Sequence, residues 1–208
     1  RSGARRALVQ PSLEKLEGRL VPSASIVRDI NPTGNYYTTE LTEVNGTLYF
    51  NANEGTNGYE LWKSDGTNTG TVLVKDIRSG SRNSNPSSLT NVNGTLYFIA
   101  NDGTNGYEVW KSDGTAAGTV LVKDILSGSS GSNPSSLTNV NGTLYFNANE
   151  GTNGYELWKS DGTNTGTVLV KDIRSGSSGS NPANLTNVNG TLYFTADDGT
   201  HGSELWKS

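Results

Sequence analysis

Four tryptophans, Trp62, Trp110, Trp158 and Trp206, recur at a spacing of 48 residues. They are the side chains whose type and placement could most readily do chemistry. A row of exposed indoles would stack on sugar faces. These sit in the middle of strand-like runs rather than in loops, which predicts apolar anchors filling the space between repeated units. Asp65-Gly-Thr-Asn-Thr-Gly70 raises the question of calcium. A calcium loop gathers several oxygen ligands at close spacing, usually more than one of them a carboxylate. Asp65 is the only carboxylate there, so it is expected to cap its own turn. Asp76 has Lys75 and Arg78 as neighbours, which points to local charge pairing. His201 is the only histidine and replaces Asn57, Asn105 and Asn153 in a turn. No motif places an Asp or Ser beside it, so it makes no triad and is expected to be solvated. Ser127-Gly-Ser-Ser-Gly-Ser132 lacks the Lys and the strand–loop–helix context of a phosphate loop. The expectation is therefore no catalytic residue, no metal ligand set and no cofactor site.

The elements that carry these residues repeat with them. Val44-Asn-Gly-Thr-Leu-Tyr-Phe50 returns at Val92, Val140 and Val188, and Tyr59-Glu-Leu-Trp-Lys-Ser64 returns at Tyr107, at Tyr155 and as Ser203–Ser208. A strict period of this length marks one supersecondary unit used several times. Each unit reads as four short strands. Strand A is expected at 40–44, 88–92, 136–140 and 184–188. Strand B runs from Thr47 to about Asn53, with Leu48, Phe50 and Ala52 on one face and Tyr49 on the other. Strand C is Tyr59–Ser64 and strand D is Thr71–Ile77. These runs are rich in β-branched, aromatic and other apolar residues and contain no Pro. Asn45-Gly46 between A and B is a strong hairpin signal, because both residues must take positive φ. A Ser/Gly/Asn/Pro segment, 78–86, leads to the next unit.

Four antiparallel strands in 48 residues, serially repeated, match a propeller blade. A parallel β-helix coil is shorter per turn, and an immunoglobulin-type sandwich needs about 100 residues. Helical repeats lack support, since no 3.6-residue period is present. The fold expected is all-β: a β-propeller-like array of four blades, either a closed ring or an arc of a larger one. Ser25-Ile-Val-Arg-Asp-Ile30 matches the strand D runs that begin at Val72, Val120 and Val168. If Ile26–Ile30 lay antiparallel to Glu204–Lys207, it would complete the last blade and close the ring.

Composition narrows the function. The 208 residues carry a net charge of −4, with no Cys and no Met. There is no disulfide framework and no thiol nucleophile. A scattered, slightly acidic balance argues against a nucleic-acid partner, which would need a basic stripe. No apolar run approaches the length of about 20 residues that spans a membrane. The 26 glycines fall with Asn, Ser and Thr at fixed points between apolar runs, which reads as turns rather than disorder.

Glu60-Leu-Trp-Lys-Ser-Asp-Gly-Thr67, Glu108-Val-Trp-Lys-Ser-Asp-Gly-Thr115 and Glu156-Leu-Trp-Lys-Ser-Asp-Gly-Thr163 resemble the ELWxxDGT repeat family of bacterial surface proteins. The likeness continues through Gly70–Ile77 and Val44–Phe50 and covers roughly 26–208. It implies a long, extracellular, propeller-like protein and hands down no established chemistry. More loosely, the unit is similar to a WD-type blade with Trp in strand C, without that family's Gly-His and Trp-Asp pairs. Leu13-Glu-x-Leu-Glu-x-Arg-Leu-Val-Pro22-Ser resembles the short leader of large exported proteins in some environmental bacteria. The domain division expected is a basic, disordered leader over 1–24 and a β-propeller repeat domain over 25–208, read as a fragment of a longer product. Asn45-Gly-Thr47 and its three equivalents, with Asn184-Leu-Thr186, fit the N-glycosylation pattern, but in a bacterial protein no glycan is expected.

Repeats one and three differ only where Arg82, Asn83, Ser87 and Ser88 face Ser178, Gly179, Ala183 and Asn184. Catalysis needs unlike groups converging on a point, whereas near-identical blades present one surface many times. The expected protein is therefore non-enzymatic, located at the cell surface or outside the cell, and used for adhesion to other surface proteins. The alternatives are a lectin-like module whose partner is polysaccharide, and the scaffold part of a larger secreted enzyme.

Overall fold

A computed structural model describes residues 24–34 and 37–208. The leader expected over 1–24 lies, apart from Ala24, outside the described residues. The described residues contain fifteen strands and no helix. Sheet one comprises β1 (Thr39–Val44), β2 (Thr47–Asn53), β3 (Tyr59–Ser64) and β4 (Val72–Lys75). Sheet two comprises β5 (Ser87–Val92), β6 (Thr95–Asn101), β7 (Tyr107–Ser112) and β8 (Val120–Leu121). Sheet three comprises β9 (Ser135–Val140), β10 (Thr143–Asn149), β11 (Tyr155–Ser160) and β12 (Val168–Lys171), and sheet four comprises β13 (Ala183–Val188), β14 (Thr191–Asp197) and β15 (Ser203–Lys207). Every sheet is an antiparallel meander in chain order.

The A–B turn forms as its residues require. Asn45 and Gly46 take φ of 51° and 79°, the left-handed pair that a two-residue hairpin needs. The first strand of each sheet is less regular than its sequence suggests. Its pairing skips between Thr39 and Thr42, and between the equivalent residues of sheets two and four. Glu40, Ser88, Ser136 and Asn184 sit there at φ near +60°, a bulge that no residue type announces. Strand D is shorter than the expected Thr71–Ile77. Thr71 turns its hydroxyl to Ser64 and to the Thr67 carbonyl, and the Ile77 N–H goes to the Glu60 carboxylate instead of the ladder.

The core lies between sheets. Val44, Tyr49, Leu61, Val74 and Ile77 of sheet one pack on Leu96, Phe98, Ala100 and Trp110 of sheet two. Sheet two meets sheet three through Val92, Tyr97, Val109 and Val122 against Leu144, Phe146, Ala148 and Trp158. Val140 and Leu157 meet Leu192, Phe194 and Ala196 in the same way. Strand B is therefore apolar on both faces because each face touches a different sheet. Within this stack β5 lies between β1 and β9, and β9 between β5 and β13.

Of the two arrangements left open, closure through Ile26–Ile30 does not occur. Sheet four has three strands, and Ile26–Ile30 is neither a strand nor paired with Glu204–Lys207. Arg28 instead donates to the Thr71 carbonyl and lies 5.8 Å over the Trp62 ring, and Ile30 packs on the Phe50, Ala52 and Trp62 cluster. A strand D has two neighbours: strand C of its own sheet through the backbone, and the following sheet through its side chains. Ile26–Ile30 keeps the second relation, with sheet one as the following sheet, and lacks the first.

Candidate functional site

Three rows of repeated side chains run along the stack. The tryptophan row is buried: Trp62, Trp110 and Trp158 are 4%, 6% and 6% exposed. Each carries a cation from the preceding segment. Lys75 lies 5.8 Å over Trp110, and Lys123 lies 5.8 Å over Trp158. The same ammonium groups donate to the Thr119 and Thr167 carbonyls at 2.7 and 2.8 Å. A part-buried cation over an indole adds to packing, so Trp62, Trp110 and Trp158 clamp one sheet to the next and present no open ring to a sugar.

The second row was not singled out in the sequence. Glu60, Glu108 and Glu156 are fully buried in strand C. Each receives the N–H and hydroxyl of a serine in the linker to the next unit, Ser84, Ser132 or Ser180. Each also receives one or two N–H groups from the segment after strand D: Ile77 for Glu60, Leu126 for Glu108, and Ile173 with Arg174 for Glu156. The serine carbonyls turn the other way and accept the N–H of Asn101, Asn149 and Asp197 in the following sheet at 3.0 Å. The Glu–Ser pair is thus a rivet that joins strand C, the linker and the next strand B. Burial pushes the Glu60 and Glu108 carboxyls up to about 7, against the pull of these donors. The available signal was a charged residue between two strand-core positions, with Ser-Asn-Pro 24 residues later in every full repeat.

The third row is exposed. Asp65 caps its turn as expected, accepting from the Thr67 N–H at 2.9 Å and the Thr67 hydroxyl at 2.7 Å. Gly70 N–H then donates to the Thr67 hydroxyl at 2.9 Å. Asp113 with Thr115, and Asp161 with Thr163, repeat the arrangement. These hydroxyl and N–H donors hold all three carboxyls below the usual carboxylate range. The turns neighbour one another: Lys63 Nζ donates to the Gly114 carbonyl at 2.9 Å, and the charges of Lys63 and Lys111 act on Asp113 and Asp161. Among the described residues, no group of three His, Cys, Asp or Glu side chains gathers where it could hold a metal.

Two local expectations need correction. Asp76 does not pair with Lys75 or Arg78. Its carboxylate accepts from the Gly80 N–H, while Lys75 reaches the next sheet and Arg78 the Asn83 carbonyl. His201 is exposed as expected, yet it has a partner: Nδ1 lies 2.8 Å from Asp198 Oδ2, and its N–H donates to Oδ1. That contact raises the His201 pKa and depresses that of Asp198.

The asparagines of the Asn-Gly turns and of strand A also do more than shape turns. Asn45 and Asn141 donate to the Gly94 and Gly190 carbonyls, and Asn91, Asn139 and Asn187 donate to the carbonyls of Glu43, Asn91 and Asn139. They form a ladder from sheet to sheet.

No family model matches the chain, and no curated protein matches it. Among solved structures, the chain is similar to the computationally designed Ika8 protein, with 19% identity, a TM-score of 0.43, and coverage of 81% of this chain and 45% of that one. The chain thus spans under half the length of that structure's chain.

Proposed function

We propose that this chain is a propeller-like, ELWxxDGT-type repeat that works outside the cell as a non-enzymatic adhesion module, engaging surface proteins through its row of equivalent Asp-Gly-Thr turns. The observation that carries this reading is the contrast between the rows. Tryptophan and glutamate are spent on joining sheets, whereas the turns at Asp65, Asp113 and Asp161 face solvent in one repeated, preorganised form. Equivalent weak sites on a rigid support gain avidity from being linked. The blade-like arrangement is supported by the side-by-side first strands and by the meander order from strand A to strand D in sheets one to three and from A to C in sheet four.

Binding of fluorescently labelled chain to bacterial cells tests this reading. Protease treatment of the cells should abolish binding and periodate should not. Asp→Lys changes at 65, 113 and 161 should weaken binding progressively. Loss on periodate treatment alone would establish the polysaccharide reading in its place, and unchanged binding by the triple variant would remove the turns from the account.

A further inference from the structure

The A–B turns of sheets one, two and three are one chemical unit used three times. Val-Asn-Gly-Thr stands at 44–47, 92–95 and 140–143. Its Asn takes φ of 50–51° and its Gly φ of 79–84° in all three. Asn45, Asn93 and Asn141 are all exposed. In an Asn-Gly pair the backbone nitrogen of Gly can reach the side-chain carbonyl before it with little hindrance, because Gly carries no Cβ. The three turns differ in what holds that nitrogen. Gly94 and Gly142 donate their N–H to the neutral side-chain oxygens of Asn91 and Asn139, both at 2.9 Å. Gly46 donates its N–H to a carboxylate oxygen of Glu43 at 2.5 Å.

We propose that Asn45 is a site of self-modification, converted to aspartate and isoaspartate through a cyclic imide with Glu43 as the general base. The Gly46 nitrogen adds to Cγ of Asn45 while its proton passes to the Glu43 carboxylate. The bond from Cγ to the side-chain nitrogen then breaks, the proton returns to that nitrogen, and ammonia leaves. Water opens the imide at either carbonyl, giving Asp or isoaspartate. Nothing is oxidised or reduced, and water is the only co-reactant. A base already bonded to the proton it must take is the geometry that general acid–base catalysis requires. Asn91 and Asn139 hold the equivalent N–H groups with amide oxygens, which cannot take a proton in this way.

The reaction has a structural consequence. Asn45 Nδ2 donates to the Gly94 carbonyl at 3.0 Å and so latches sheet one to sheet two. A carboxylate in its place only accepts hydrogen bonds, so it ends that donation and sets negative charge against a carbonyl oxygen. Isoaspartate also lengthens the backbone of a two-residue turn. Conversion at Asn45 therefore releases this latch for good. The latches also separate two explanations of the rate. Asn141 Nδ2 reaches the Gly190 carbonyl at 3.5 Å, a longer bond than that of Asn45. If release of the latch governed the reaction, Asn141 would convert before Asn45. A base at the nitrogen makes Asn45 the first to convert.

Peptide mass spectrometry on the 208-residue chain, incubated folded at neutral pH, tests this by following the exchange of NH for O at each asparagine and the appearance of isoaspartate. Asn45 should convert at least about tenfold faster than Asn93 and Asn141, the low end of what a positioned general base contributes. Glu43 is exposed, so E43Q should keep the circular dichroism spectrum while Asn45 slows to the rate of Asn93. N91E, which places a carboxylate at the Gly94 N–H, should speed Asn93 in turn. In denaturant, where the turns are gone and the flanking residues are the same, the three sites should convert at similar rates. Asn141 converting first, an Asn45 rate unchanged in E43Q, an Asn93 rate unchanged in N91E, or a lead for Asn45 that persists in denaturant would each overturn the proposal.

Discussion

Strand C of sheet three and strand C of sheet four carry the same Glu-Leu-Trp-Lys sequence and meet different fates. In β11, Glu156 and Leu157 are sealed from solvent and Trp158 is 6% exposed; in β15, Glu204 is exposed, Leu205 is 72% exposed and Trp206 is half-buried. The interior indole N–H groups of Trp62, Trp110 and Trp158 find no protein acceptor, whereas Trp206 Nε1 donates to the Ala196 carbonyl at 3.0 Å. Lys171 lies over Trp206 at 5.7 Å, so the clamp from the preceding side survives at the last sheet. What differs is the following sheet. Burial here is a property of the neighbour, and stability passes between adjacent repeats much as in other nearest-neighbour arrays.

The comparison can be broken at the tryptophans first. Trp110→Ala should destabilise by about 3–5 kcal/mol, the cost of emptying a large core site, and Trp206→Ala by about 1–2 kcal/mol, since part of that ring is already in water. Equal losses in chemical denaturation would mean that sheet four is packed like sheet two.

The glutamate rivets give the next effect. A carboxyl pushed up to about 7 in the fold and near 4.5 in the unfolded chain keeps its proton on folding between those values. The folded state then binds more protons, so stability is fullest near and below pH 4.5 and falls as pH rises through 7. Glu60 and Glu108 should each contribute on the order of 3 kcal/mol across this window. The depressed carboxyls at Asp65, Asp113 and Asp161 act oppositely, losing their contribution as pH drops below about 4. Melting temperature should therefore peak near pH 5 and fall toward pH 8. The double variant E60Q/E108Q should flatten the alkaline side of that curve; an unchanged slope would take the rivets out of the titration.

Removing one donor sharpens the contrast further. Ser132→Ala should cost about 1–3 kcal/mol, because the buried Glu108 carboxyl loses a hydrogen-bond partner. Glu204→Ala, at an exposed position, should fall within about 0.5 kcal/mol of the unaltered chain. The smallest effect concerns the turns. Each Asp-Gly-Thr carboxylate is satisfied by its own threonine, so calcium or EDTA should leave the melting temperature unchanged. A rise of several degrees with calcium would show a ligand set that these turns do not form alone.

Much of the sheet pattern was legible because local chemistry dictates it. The Asn-Gly turns, the Asp-Thr caps and the dual apolar faces of strand B belong to short stretches whose geometry does not depend on distant partners. Strands B and C fall at the expected residues, 47–53 and 59–64. The buried glutamates were not legible in the same way, since a charge in an apolar run becomes interpretable only when its linker serine is placed beside it in space. Ile26–Ile30 shows the same limit. Its sequence marks it as a strand D, but whether it pairs with a strand C is decided by how the sheets are stacked, and among the described residues it pairs with none. His201 drew attention as a lone titratable residue, and its Asp198 partner arises from the turn itself.

The most direct test of the central claim, that neighbours rather than sequence set burial, is hydrogen exchange in strand C, read peptide by peptide. At roughly 1 µM chain, amides of β7 and β11 should exchange only through global opening, and those of β15 faster by on the order of 100-fold or more. If β15 exchanges as slowly as β11, the shared Glu-Leu-Trp-Lys sequence carries its own protection and the account is wrong.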